Sequence, residues 1–314
     1  MIHKAFLILI GMGLMGLVGI LTGVSNPEEE EAAATETVDT SAVALADQHV
    51  KPVAIPSYME FAGEEVPLAD YDIKERLDRE LLVNTYWHSS TIKMMKTANR
   101  YFPLIEQILA EQGVPDDFKY LALIESGLDM QARSSAGAKG PWQFLSATAK
   151  QYKLEVADRY NYEEVDERYH IEKSTVAACK YLKNEYESFG NWTLAAAAYN
   201  AGHGRIRGTK TKQLVDSYYD MYLTTETSRY VFRILAVKAI FQNPEKYGFF
   251  IENSSLYQPV PTRDMVVKSI PNIPEFAKGQ GFTYKEFKLL NPWLRSTKLT
   301  ARKSGKTYTV KLPL

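Results

Sequence analysis

The sequence predicts a mainly α chain that ends in a small α+β module. Three observations carry this expectation. Apolar residues recur at helical spacing from about residue 71 to residue 241. No strand-like alternation of any length occurs before about residue 255. Near the end, Thr307-Tyr308-Thr309-Val310-Lys311-Leu312-Pro313 does alternate. The chain has 314 residues, enough for about two domains. Hydrophobic residues make up 45% and charged residues 24%, which excludes a wholly disordered, collagenous or polytopic membrane protein.

Charge and cysteine content exclude further classes. Net charge is -1, so no global basic field recruits nucleic acid. The lone Cys179 excludes an intrachain disulfide framework and a multi-cysteine metal site. The five histidines show no close pairing that suggests zinc. Neither a metal nor a cofactor is expected, and a monomer is.

The elements follow in chain order. His3 and Lys4 precede an uncharged run from Ala5 to Val24. That length lies between a secretion signal and a spanning helix. Residues 1–25 are therefore read as a signal peptide, cut near Ser25, or as a retained membrane anchor. No cysteine follows the run, so a lipoprotein is not expected. Export to the periplasm or cell envelope is expected, with membrane association through the N-terminus if the run is kept. Residues 26–68 are read as an acidic, proline-containing linker. Glu28 to Glu31 are acidic, and Pro52, Pro56 and Pro67 interrupt the later part. The first fifty residues hold one Lys and seven Asp or Glu, leaving 36 basic against 31 acidic residues in the remainder. That balance suits an anionic polymer and equally fits ordinary scatter.

Residues 69–255 are read as one helical domain. Ile73, Leu77 and Leu81 form a stripe; Tyr101, Leu104, Ile105 and Ile108 form another, closed by Gly113. Pro115, Asp116 and Asp117 open the next helix. In it, Phe118, Leu121 and Ala122 are followed at i+7 by Glu125, while Tyr120, Leu123 and Ile124 make the other faces apolar. A carboxylate thus stands where the pattern wants an apolar side chain, at a helix end marked by Ser126-Gly127. Burial and the negative helix terminus both disfavour its charge and suit a general acid. Periodicity alone also fits a glutamate paired with an interior arginine.

Two segments break the helical pattern. In Ser134 to Phe144, Gly137 and Gly140 permit tight turns, Trp142 offers a stacking face, and Gln143 an amide suited to a sugar. Taken alone, the segment is better read as a plain loop with one core tryptophan and one surface glutamine. In Asn191 to Gly204, four consecutive alanines allow close helix packing before Tyr199 and Asn200. Gly202 and Gly204 are no nucleotide loop, because no strand precedes them. His203 reads as a loop residue. A further helix opens at Thr224 and carries Tyr230, Ile234, Val237 and Phe241 on one stripe. Tyr230 is a core aromatic whose hydroxyl needs a partner, and a nearby carboxylate could supply it.

Taken together and in order, Glu125-Ser126-Gly127, Gly140-Pro141-Trp142-Gln143, Ala198-Tyr199-Asn200-Ala201-Gly202 and Tyr230 resemble the motifs of Slt-type lytic transglycosylases, closest to the membrane-bound murein transglycosylase D group. The resemblance covers about residues 90–250. It implies a lysozyme-like helical fold. It also implies cleavage of the MurNAc–GlcNAc β-1,4 bond of peptidoglycan glycan strands, with a 1,6-anhydro-MurNAc product. By the same resemblance Glu125 is the catalytic acid and base, and Ser134 helps position the substrate acetamido group. Gln143, Tyr199 and Asn200 contact sugar, and Tyr230 approaches Glu125. Pro141-Trp142 replaces the Leu-Met of relatives, so Trp142 is expected to stack on substrate instead. Glu226 resembles an acidic position of some relatives. Two alternatives stay open: a hydrolytic muramidase of the goose-type lysozyme kind, and a non-catalytic peptidoglycan-binding scaffold.

Residues 256–314 are read as a separate module after Pro259 and Pro261. Ile273, Phe276 and Ala277 suggest a short helix; Tyr284, Phe287, Leu289 and Leu290 suggest a second, ended by Asn291-Pro292. The order resembles a degenerate LysM repeat, a family that binds GlcNAc-containing polymers. The usual Gly-Asp-Thr turn is missing near Val267 to Ile270.

Overall fold

The computed structural model describes residues 51–157, 164–300 and 305–314. The signal or anchor read over 1–25, and the linker as far as residue 50, lie outside the described residues. Among the described residues no helix is long and apolar enough to cross a membrane.

The part of the linker that is described does not behave as one. Strands β1 (Glu60–Phe61) and β2 (Glu64–Glu65) pair antiparallel. They are joined by Ala62 and Gly63, both at positive φ, the conformation a tight hairpin demands. Met59, Phe61 and Val66 are buried, and Phe61 meets the Phe118 ring edge-on at 5.2 Å. The Ala62 amide donates to Asp117 Oδ2 at 2.7 Å, and Lys238 Nζ reaches the same oxygen at 2.7 Å. Apolar side chains between the prolines therefore fasten this stretch to the helical core.

Most helices form where the periodicity places them, but His203 and Gly204, read from the sequence as loop residues, open a helix of their own, which runs to Gln213 without an apolar stripe. Helix α1 (Tyr71–Tyr86) starts at Asp70, whose carboxylate accepts from the Asp72 and Ile73 amides, and it buries Ile73, Leu77 and Leu81. After Trp87, helix α2 (His88–Gln112) ends on Gly113 at φ +64, with the Gly113 and Val114 amides closing back on Ala110 and Leu109. Helix α3 (Phe118–Ser126) is buried along most of its length and stops at Gly127, φ +63. The short α4 (Ser146–Gln151) leads to α5 (Ile171–Phe189). Helix α6 (Trp192–Ala201) presents Ala195 to Ala198, all fully buried, so backbones approach closely. Helix α7 (His203–Gln213) is mostly exposed, and α8 (Thr225–Gln242) is mostly buried. Helix α8 packs against α1, α3 and α6, while α5 packs against α2 and α6. The end of α3 is thereby set beside α8 and near the end of α6.

The C-terminal module runs β3 (Thr262–Val267), α9 (Ile273–Gly279), α10 (Tyr284–Leu290), β4 (Tyr308–Pro313). The strands are antiparallel, from Thr262 opposite Pro313 to Val267 opposite Tyr308. The sequence pattern predicts α9, α10 and β4 but not β3, because Arg263 and Asp264 break its apolar alternation. Thr283 and Glu286 form a reciprocal cap on α10. Asn291, fully buried, exchanges bonds with both the amide and the carbonyl of Lys311 and so joins α10 to β4. The module has its own hydrophobic cluster, which also takes in Val165 and Tyr169 from the helical part.

Candidate active site

Glu125 occupies the last turn of α3 and is half-buried. The Tyr230 hydroxyl, on α8, donates to Glu125 Oε1. Burial raises the Glu125 carboxyl above its ordinary value, and the Glu226 charge adds to the rise. The Tyr230 bond and the Arg233 guanidinium act the other way. Its proton affinity is thus raised by burial and held in check by its partners, which suits a group that gives and then regains a proton. Tyr230 itself is pushed well above the usual phenol range by burial and then by the Glu125 charge, so it stays a donor.

Tyr199, near the end of α6, gives its hydroxyl to the Trp142 carbonyl at 2.7 Å. It too is pushed well above the phenol range, by burial first and by the Glu125 charge next, which places it in the same electrostatic neighbourhood. Asn200 follows and approaches Glu226 Oε1 with its Nδ2 at 3.5 Å. Ser126, the last residue of α3, donates its Oγ to the Pro141 carbonyl at 2.8 Å. The ends of α3 and α6 therefore both grip the turn from Gly140 to Phe144.

That turn is tightly constrained. Gly140 has φ +78, and a Cβ there would stand 1.8 Å from the Arg168 carbonyl oxygen. Only glycine fits. Gln143 has φ +48, strained for a non-glycine residue, and donates from Nε2 to the Gly140 carbonyl at 2.8 Å. Strain of this kind gathers at functional sites. Ser134 lies further back in the loop, where its Oγ accepts from the Ala138 amide at 3.1 Å.

Trp142 does not stand where the resemblance puts it; it is the core tryptophan that the loop alone also fits. Its side chain is fully buried, and the indole N–H donates to Thr175 Oγ1 at 2.8 Å. The ring faces inward and offers no face to a sugar; its carbonyl, as the acceptor for Tyr199, is what the site uses. The structure thus groups Glu125, Tyr199 and Tyr230, with Asn200 reaching Glu226. It holds Gln143 in the adjoining turn, and it shows no direct bond from Ser134 or Gln143 to Glu125.

Arg233 carries no signal in the sequence. It lies three residues beyond Tyr230, and Glu226 four before it, so both share the Tyr230 face of α8. Arg233 Nη2 also holds the Ile124 carbonyl at 3.2 Å. Beside it, Arg229 clasps the buried Glu80 at 2.6 and 3.3 Å. Both arginines line a cleft of about 400 Å³ that reaches Ser126 and Gly127. Among the described residues no group of histidine, cysteine and carboxylate side chains is arranged to hold a metal ion.

Comparison with known proteins finds two matching families. Residues 103–219 match the family described as the transglycosylase SLT domain, and residues 262–314 match the soluble lytic transglycosylase C-terminal LysM-like domain. Membrane-bound lytic murein transglycosylase D of Escherichia coli K12 is 30% identical over 196 residues, covering 60% of this chain. Its counterpart in Escherichia coli O6:H1 matches to the same extent. The chain spans 41% of the length of these relatives. The solved 70-kDa soluble lytic transglycosylase of Escherichia coli aligns with a TM-score of 0.39 at 22% identity, over 51% of this chain and 27% of that one. The chain thus has a region similar to the transglycosylase SLT domain, followed by one similar to a LysM-like C-terminal domain.

Proposed function

We propose that the protein is a peptidoglycan lytic transglycosylase. It cuts the MurNAc–GlcNAc β-1,4 bond and leaves a 1,6-anhydro-MurNAc end. The observation that carries this reading is the half-buried Glu125, raised toward its neutral form and held by the Tyr230 hydroxyl.

The chemistry needs one protein carboxyl group. Ordinary retaining and inverting glycosidases use two. Here Glu125 gives its proton to the bridging oxygen as the bond from that oxygen to the anomeric carbon breaks. The MurNAc acetamido oxygen bonds to the same carbon, forming an oxazolinium ring. Glu125, now a carboxylate, takes the proton of the MurNAc 6-hydroxyl. The freed O6 attacks the anomeric carbon, the acetamido bond to it breaks, and the amide is restored. Glu125 ends protonated, ready for another cycle. Arg233 and the Tyr230 donor stabilise the carboxylate between the two transfers, and burial favours its return to the neutral state. Positioned proton transfer of this sort is typically worth ~10²–10⁴ in rate.

Asn200, Tyr199, Gln143 and Ser134 are assigned to substrate positioning. The substrate places the protein in the cell envelope, exported by residues 1–25 and associated with the membrane if that segment is retained. It acts as a monomer, with residues 69–255 as the catalytic domain and 256–314 as the module behind it. The test is digestion of purified peptidoglycan by the full chain and mass spectrometry of the products. Ends lighter by one water than hydrolysed ends are expected. Reducing MurNAc ends would replace the reading with a muramidase, and intact strands would replace it with a binding scaffold.

A further inference from the structure

The C-terminal module does not stand apart from the proposed site. Its segment from Trp293 to Thr300 is bonded to residues 164–170 of the helical part. The Asp166 amide donates to the Trp293 carbonyl at 2.9 Å, and the Arg295 amide to the Glu164 carbonyl at 2.7 Å. The Thr300 amide meets Glu164 Oε2 at 2.8 Å. Val165 and Leu294 form an antiparallel bridge, and the His170 and Trp293 rings stack at 5.3 Å.

The same short segment reaches the other way, to the turn that carries Gln143. Asp166 and Arg168 are almost wholly buried. Arg168 pairs with Asp166 through Nε at 2.9 Å and Nη2 at 2.8 Å, a two-pronged geometry that fixes the guanidinium plane. Its Nη1 reaches the carbonyls of Gly137 and Phe144, both at 3.3 Å. Lys139 Nζ meets Asp166 Oδ2 at 3.3 Å. The Arg168 carbonyl is the atom that forbids a side chain at Gly140. Each end of the strained turn is therefore set by Arg168.

We infer that Asp166 and Arg168 are positioning residues that make the C-terminal module a buttress of the substrate-binding turn, holding Gln143 in register with Glu125. A buried ion pair is weak evidence of stability in itself, because desolvation offsets much of the attraction. Its use here is geometric: it joins the Gly137 carbonyl, just before the turn, and the Phe144 carbonyl, at its end, to a backbone that the module clamps. The assignment rests on the proposed role of Gln143 as a substrate contact.

The experiment uses the full chain and soluble glycan strands, with KM, kcat and melting temperature read for each variant. Arg168→Lys keeps the charge beside Asp166 but loses the fork. It is expected to raise KM about fivefold while kcat stays within about twofold, as loss of positioning in the bound state requires. Leu294→Val, inside the module, is expected to shift KM the same way, and it reads the coupling if Arg168→Lys does not fold. Ile105→Val in α2 serves as the control, lowering the melting temperature with KM unchanged. An unchanged KM in both Arg168→Lys and Leu294→Val, with only the melting temperature lowered, would overturn the inference. So would an unchanged KM in Gln143→Ala while the parent still releases anhydro ends. A parent that releases none defeats the transglycosylase reading instead, which is a separate result.

Discussion

Tyr230 and Glu125, 105 residues apart in sequence, meet through a phenol donated to Oε1 across the packing of α3 on α8. The bond lowers the glutamate's proton affinity against the larger effect of burial. Tyr230→Phe removes the donor and leaves the ring to fill its place. The Glu125 carboxyl then moves further up, and the alkaline limb of the pH–rate profile moves up with it. A hydrogen bond to a charged group contributes about 1.5–3 kcal/mol, so kcat/KM is expected to fall roughly 10–100-fold. A pH profile with its alkaline limb unmoved would detach Tyr230 from the proton donor.

Glu125→Gln is expected to abolish release of anhydro ends and to leave the helical circular dichroism unchanged. It also carries a stability signature. A carboxyl whose proton affinity is raised on folding binds more protons in the folded than in the unfolded chain between the two pKa values. Stability therefore falls as pH rises through that window, from the ordinary glutamate value upward. A neutral glutamine has no such loss. The variant is expected to melt at or above the parent at pH 7, and the difference to vanish below about pH 4. A variant that melts lower than the parent at pH 7 would contradict the raised affinity.

Periodicity singles out Glu125 but fits an interior glutamate–arginine pair equally well, so the ordered motifs carry its assignment. Glu125 shares the stripe of Phe118, Leu121 and Ala122, and Gly127 marks where the helix must stop. Arg233 is hidden among ordinary charged residues until α8 fixes which face Tyr230 presents. For Trp142 the local pattern fits a core residue, and only the departure from the Leu-Met of relatives puts its ring on the substrate. Its partner Thr175 lies 33 residues on, in α5, and no local pattern announces it. The hairpin at Glu60 to Glu65 escapes for another reason: two-residue strands carry no period to detect.

Gln143 offers a test of strain against use. Its φ of +48 suits glycine better than any branched or polar residue. Gln143→Gly and Gln143→Ala both remove the amide, and both are expected to raise KM to the same degree. Only the alanine retains the unfavourable backbone, so the glycine variant is expected to be more stable than the alanine variant by about 1 kcal/mol in urea denaturation. Equal stability of the two would mean the left-handed conformation costs nothing there.

The N-terminal hairpin should matter to the helical domain as much as its contacts indicate. Glu64 accepts from the Trp192 amide at 2.5 Å, the Thr193 amide at 2.9 Å and the Thr193 hydroxyl at 2.7 Å. A carboxylate at the start of α6 satisfies orphan amides and suits the helix dipole. Asn191 still accepts from the Leu194 amide at 2.7 Å, so Glu64→Ala weakens the cap without removing it. The expected cost is about 1–2 kcal/mol, with faster hydrogen exchange at Trp192 and Thr193. Phe61→Ala empties a fully buried site against Phe118 and is expected to cost about 3–5 kcal/mol. Because α6 carries Tyr199 and Asn200 at its far end, the two variants also separate stability from activity. Glu64→Ala, measured well below its melting temperature, is expected to keep kcat, since the bond from Tyr199 to the Trp142 carbonyl is untouched. Unchanged stability in both variants would return residues 51–68 to the status of a passive linker.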